Sequence, residues 1–171
     1  MLGNSSRDKE IVSLEQETAR LLVSLKITIA VAESCTGGLI CHRLTNIAGS
    51  SDYLEMGVVT YSNQSKIDLL RVPEEIIKEQ GAVSEACVRA MAIGVKRLAG
   101  TDLGIAVSGI AGPTGGTQEK PVGTVHMALS WSEDVKCLKY LFEGSREEIK
   151  EKASEQAIIN IRDHCQSVKH G

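Results

Sequence analysis

The chain has 171 residues, 42% of them hydrophobic and 24% charged, with a formal net charge of −3. That length can enclose a real core, and that composition excludes a disordered chain. An acidic balance with only 3% aromatics provides neither a basic stripe nor stacking rings, so no nucleic-acid partner is expected. Apolar runs such as ITIAVA are too short for a membrane span, and MLGNSSRDKEIVSLEQE lacks the apolar centre of a signal peptide. Cys35, Cys41, Cys87, Cys137 and Cys165 are odd in number and show no CxxC spacing. A disulfide framework or structural zinc site is therefore disfavoured, and a reducing cytoplasm fits best. The four histidines form no HxH or HxxxH pair, so no metal or other cofactor is expected.

From the amino terminus, Ile11, Leu14, Thr18, Leu21, Leu22 and Leu25 recur at helical spacing and predict an amphipathic helix over residues 9–25. KITIAVAE (26–33) reads as a buried strand. SCTGGLICHRLTNIAG then turns from strand into a short helix, with Gly37 and Gly38 near its start. MGVVTYS (56–62) is a second strand, and SNQSKIDLLRV a helix with Ser62 as N-cap. PEEIIKEQG reads as another short helix, opened by Pro73 and closed by Gly81. VSEACVRAMAIGVKRLAG is a longer one, from Ser84 to Gly100. DLGIAVSGIAG makes a third strand that runs into a glycine-rich loop. PVGTVHMALSW and VKCLKYLFEG pair as a hairpin through Ser132, Glu133 and Asp134, and SREEIKEKASEQAIINIRDHC forms a final helix. Helices and strands alternate and a hairpin closes the sheet. The class is α/β: a single domain over residues 1–171, a three-layer α/β/α sandwich with a mixed sheet.

Polar residues collect at three strand ends, and ligands in such sheets bind where strands end and loops begin. Ser34, Thr36, Gly37 and Gly38 could bring hydroxyls and backbone N–H groups to an anion, or could simply cap and pack a helix. The loop GIAGPTGG carries Gly109, Gly112 and two further glycines in eight residues, which suits close approach of a ligand or a sharp turn. A third possibility lies in NIAGSSDYLEMGVVTYSNQSK. A serine becomes a nucleophile when a base takes its proton, and a lysine with a lowered pKa can be that base. Ser50 or Ser51 could meet Lys66 in this way; the alternative is a turn and a surface lysine. A strand of six residues spans roughly 20 Å, so the pair would meet only if the serine loop folded back along it. Tyr61 could pass a proton or bond to the lysine, and Arg146 suits a phosphate or carboxylate.

AESCTGGLI, AGSSDYLEMGVVTYSNQSKIDLL, GAVSE and VSGIAGPTGGTQEKPVGTV, in that order, resemble the CinA C-terminal domain family over about residues 9–165. Its stand-alone members include bacterial nicotinamide mononucleotide deamidases. The resemblance implies metal-free hydrolysis of the carboxamide of nicotinamide mononucleotide, giving nicotinic acid mononucleotide and ammonia. It places the nucleophile of a GSS motif at Ser51, the base at Lys66 and a tyrosine at Tyr61. A hydroxyl that relays or orients the proton falls at Ser108. Gly109 and Gly112 lie in the loop that offers oxyanion N–H groups. Arg146 and the turn Ser34, Thr36, Gly37 and Gly38 are then candidates for the substrate phosphate. The resemblance also implies a homo-oligomer. Two other readings remain open: a module that binds a pyridine nucleotide without turning it over, and an amidase for another small amide.

Overall fold

The structure, a computed structural model, describes residues 12–170. The first helix, α1 (Leu14–Leu25), starts at Ser13, whose side chain and that of Gln16 cap each other's backbone N–H groups. The residues 9–11 that periodicity assigned to this helix lie outside the described residues. Lys26 ends it in the left-handed region at φ 55°, which delays β1 (Ile29–Glu33) to residue 29. There follow α2 (Leu39–Thr45), a 3-10 turn over Ser50–Asp52, β2 (Leu54–Val59), α3 (Asn63–Leu70), α4 (Glu74–Gln80) and α5 (Glu85–Ala99). Then come β3 (Leu103–Gly109), the hairpin β4 (Thr124–Trp131) and β5 (Asp134–Leu141), and α6 (Arg146–His170).

The caps at Ser62, Ser84 and Gly100 fall where sequence placed them, and Ser62 and Ser84 accept N–H bonds from Ser65 and Cys87. The second strand lies two to three residues earlier than expected. Leu54 already pairs with Ile29, and Tyr61–Ser62 have left the sheet to begin α3.

One five-stranded sheet runs in the order β2-β1-β3-β4-β5. β2, β1 and β3 are parallel, and β4 and β5 are antiparallel, so the sheet is mixed, as expected. Helices α1, α2 and α6 cover one face over Val31, Ile105, Val125 and Met127. On the other, α3, α4 and α5 cover Ala30, Ala32, Ala106 and Ala128. The central strands β1 and β3 are covered on both faces, which is why they read as unbroken apolar runs. No helix among the described residues is long and apolar enough to cross a membrane.

Because β1, β2 and β3 are parallel neighbours, their carboxyl ends share one edge of the sheet, and the polar strand ends converge there. Glu33 pairs with Val59 on one side and Val107 on the other. One residue further, Ser34 therefore stands between Thr60 and Ser108. Ser108 faces His126 on β4, and His126 faces Lys139 on β5. Strand alternation puts this whole row on the face that carries α3, α4 and α5.

Candidate active site

Lys66 sits in the middle of α3 with its side chain turned under the helix, only 1% exposed. Its Nζ is 2.6 Å from Thr60 O, 3.3 Å from Tyr61 O and 3.1 Å from Ser34 Oγ. Burial lowers its pKa from the ordinary lysine value, while the Cys87 and Cys35 thiols act weakly the other way. No carboxylate among the described residues forms an ion pair with it. A neutral amine has two N–H donors and one lone pair. As an ammonium Lys66 donates to both carbonyls and to Ser34 Oγ; once neutral, its two donors stay on the carbonyls and its lone pair turns to the Ser34 O–H.

Ser34 is 8% exposed and opens onto a cavity of about 280 Å³. Lys66 and Ser108 share its floor, Ala82, Val83 and Ile110 its walls, and Tyr61, Thr114 and Arg146 its mouth. Ser108 Oγ donates to Ala82 O at 2.8 Å, so its oxygen can only accept from the cavity side. Gly109 and Gly112 line the cavity too. A Cβ at Gly109 would lie 2.7 Å from Val125 Cγ2 and 3.1 Å from Cys35 Sγ, so packing explains that glycine. Gly112 has φ 79°, a left-handed conformation that lets the loop bend over the cavity. At the mouth, Arg146 donates to Gly112 O at 2.6 Å and to Tyr61 Oη at 3.0 Å, joining α6, the glycine loop and the β2–α3 turn.

Three sequence expectations need correction. Ser51 is exposed, in the 3-10 turn before β2, whereas Lys66 follows the far end of that strand. The turn does not fold back: Tyr53 anchors it by donating to Leu44 O and accepting from Ile29 N. The serine that meets Lys66 is Ser34. The second correction concerns the turn before α2. Glu33 is completely buried and its carboxylate accepts from Gly38 N at 2.9 Å, Ile40 N at 3.2 Å and Cys41 N at 2.9 Å. The first amides of α2 are thus filled from within, and Gly37 N bonds to Ser34 O, so this turn does not cradle a phosphate. Thr36 is buried, and neither it nor Gly37 or Gly38 lines the cavity. Third, Ser108 has its one proton committed to Ala82 O, so of the two expected roles, relaying or orienting, only the orienting one fits this geometry.

The residues that sequence reading passed over are Glu33 and His126. Glu33 was legible as the lone charge ending a buried strand directly before a glycine turn. His126 gave no signal, since its place beside Ser108 depends on the β3–β4 register.

The CinA C-terminal domain family matches residues 11–165. The chain belongs to this family. A CinA-like protein of Syntrophus aciditrophicus is 54% identical over 151 residues, 88% of this chain and 36% of the relative. A second, from Syntrophotalea carbinolica, is 51% identical over 150 residues, with the same coverage of 88% and 36%. The chain thus spans 36% of the length of these curated relatives. A crystal structure of a CinA superfamily protein from Klebsiella pneumoniae superposes with a TM-score of 0.87 at 35% identity, covering 90% of this chain and 96% of that one. One from Escherichia coli gives 0.83 at 27% identity, covering 94% and 92%.

Proposed function

We propose that this chain hydrolyses the carboxamide of nicotinamide mononucleotide to nicotinic acid mononucleotide and ammonia, with Ser34 as nucleophile and Lys66 as general base. The observation that carries this reading is the 3.1 Å contact between Ser34 Oγ and the buried Nζ of Lys66 at the floor of a cavity. A buried lysine with no carboxylate beside it favours its neutral form, the form a general base needs.

Lys66 takes the Ser34 proton as Oγ bonds to the amide carbon. The backbone N–H of Cys35, which lines the cavity, donates to no backbone carbonyl and is available to the oxyanion. Ser108 Oγ accepts an N–H of the carboxamide and so turns the leaving nitrogen towards Lys66. The C–N bond breaks, the Lys66 proton goes to the nitrogen, and ammonia departs. Water then attacks the ester on Ser34, its proton passes to Lys66, the acyl C–O bond breaks, and Ser34 regains a proton. A cavity of about 280 Å³ is of a size for the pyridine ring and carboxamide. The ribose phosphate then projects towards Arg146 at the mouth, a guanidinium suited to a phosphate.

The decisive experiment is ammonia release from nicotinamide mononucleotide in EDTA by the wild type, Ser34→Ala and Lys66→Met. Release by the wild type alone supports the dyad. Release by a folded Ser34→Ala variant sinks it, and nucleotide binding without any release points to a binding module.

A further inference from the structure

Four buried side-chain atoms have no hydrogen-bond partner among the described residues: Thr36 Oγ1, Thr60 Oγ1, Thr124 Oγ1 and His126 Nδ1. All four stand at the sheet edge that carries Ser34 and Lys66. An unpaired buried polar group costs about 1–3 kcal/mol, so each of them calls for a physical reason. Thr124 and His126 are two apart on β4 and share a face. They are 1% and 8% exposed. His126 is directly opposite Ser108, and Ser108 lines the cavity. His126 is therefore the neighbour of Ser108 across the strand pair, with Thr124 beside it on the same face, one strand beyond the cavity lining. Burial, with Lys139 and Lys120 nearby, lowers the imidazole's pKa, and Glu85 opposes this. The neutral ring keeps one donor and one acceptor nitrogen.

We propose that Thr124 and His126 form a site for one small polar molecule behind Ser108, and that in turnover it holds the water that hydrolyses the acyl-enzyme. This rests on the amidohydrolase reading above. A hydroxyl and a neutral imidazole suit water, which donates and accepts at once, better than an ion. Ser108 accepts on its cavity side, from an N–H of departing ammonia or an O–H of water alike. Water takes the place of ammonia as the nucleophile partner of the same acyl carbon and the same base, Lys66, and so attacks from the side that ammonia left. The Ser108 side must therefore exchange one for the other, and a water already held behind it shortens that exchange. In the step, the water oxygen bonds to the acyl carbon and its proton goes to Lys66. The acyl C–O bond to Ser34 breaks, and Ser34 Oγ takes a proton back from Lys66. His126 and Thr124 are positioning residues here, since they touch the water and not the acyl group.

The test follows ammonia in the first turnover and in the steady state, with the intact mass of the enzyme read in parallel. Thr124→Val removes the hydroxyl with little change of shape, His126→Leu removes the ring nitrogens, and His126→Gln restores a hydrogen-bonding group. First-turnover release should stay at the wild-type rate in Thr124→Val and His126→Leu. Later turnovers should slow about tenfold or more, as loss of a positioned reactant predicts, while an acyl adduct accumulates on Ser34 and His126→Gln recovers part of the rate. Should His126→Leu not fold, Thr124→Val decides alone. Equal slowing of both phases, or wild-type rates in both, overturns the water site and leaves the dyad standing. No ammonia from the wild type in either phase overturns the amidohydrolase reading, and the water site with it.

Discussion

Lys66 Nζ lies 3.1 Å from Ser34 Oγ and reaches two backbone carbonyls, with burial as the main influence on its pKa. The folded-state pKa is lowered, so below that value the active site holds an ammonium that cannot accept the serine proton. Activity should rise with pH through a midpoint below 10.5, and a rate profile in kcat/KM checks it. Stability follows the same proton. Between the lowered pKa and 10.5 the unfolded chain binds more protons than the folded one, so stability should climb with pH across that window. In Lys66→Met both the rate limb and this part of the stability slope should vanish.

Ser51 and Ser34 make opposite predictions. Ser51 is exposed, in the turn at the amino end of β2, and the Lys66 amine is beyond the other end. Ser51→Ala should keep wild-type turnover to within about twofold, as surface changes usually do. Ser34→Ala should lower kcat by about a thousandfold or more. Steady-state ammonia release by both variants decides. A large loss in Ser51→Ala alone would return the nucleophile to the GSS turn.

This reversal shows where the sequence stops being legible. Periodicity and capping residues located every helix and strand, because Ser62, Ser84 and Gly100 act on their own neighbours. That the polar strand ends converge was an expectation conditional on the three strands being parallel neighbours, which the β1–β2 and β1–β3 pairings supply. Which serine meets Lys66 was not, because that depends on the long-range pairing of β1 with β2 and on the inward turn of a lysine within α3. The resemblance carried Ser51 into that role, and geometry carries Ser34.

Glu33 holds the turn that presents Ser34. Its carboxylate takes three N–H groups at the start of α2. Glu33→Ala leaves all three unpaired and should cost about 3 kcal/mol or more. Glu33→Gln offers only one acceptor oxygen, so at least one N–H loses its partner, and the cost should be about 1–2 kcal/mol. Urea unfolding should show midpoints falling in that order with an unchanged slope. Equal losses would mean that the charge, not the count of acceptors, is what matters.

Arg146 donates to Gly112 O and Tyr61 Oη, and a guanidinium has five donors, so it can hold both and still reach an anion. Arg146→Ala should raise KM for nicotinamide mononucleotide about tenfold or more while changing kcat less, since charged hydrogen bonds contribute about 1.5–3 kcal/mol. With the uncharged riboside as substrate, the same variant should change KM little. If both substrates lose equally, Arg146 acts as a clasp on the loop and not on the phosphate.

Gly94 lies inside α5, where alanine normally stabilises a helix by about 1 kcal/mol over glycine. Here a Cβ would run into the Leu70 carbonyl and come within 3.0 Å of Leu70 Cβ, at the last residue of α3. Backbone yields less readily than a side-chain tip, and overpacking costs about 1–3 kcal/mol. The clash should outweigh the propensity gain, and Gly94→Ala should melt about 2–6 °C lower than the wild type. The same push moves the helix that carries Lys66, so kcat should fall as well, although Gly94 is remote from the cavity mouth. A higher melting temperature with unchanged kcat would show that α3 and α5 separate without strain, and that the Lys66–Ser34 contact does not depend on how closely they pack.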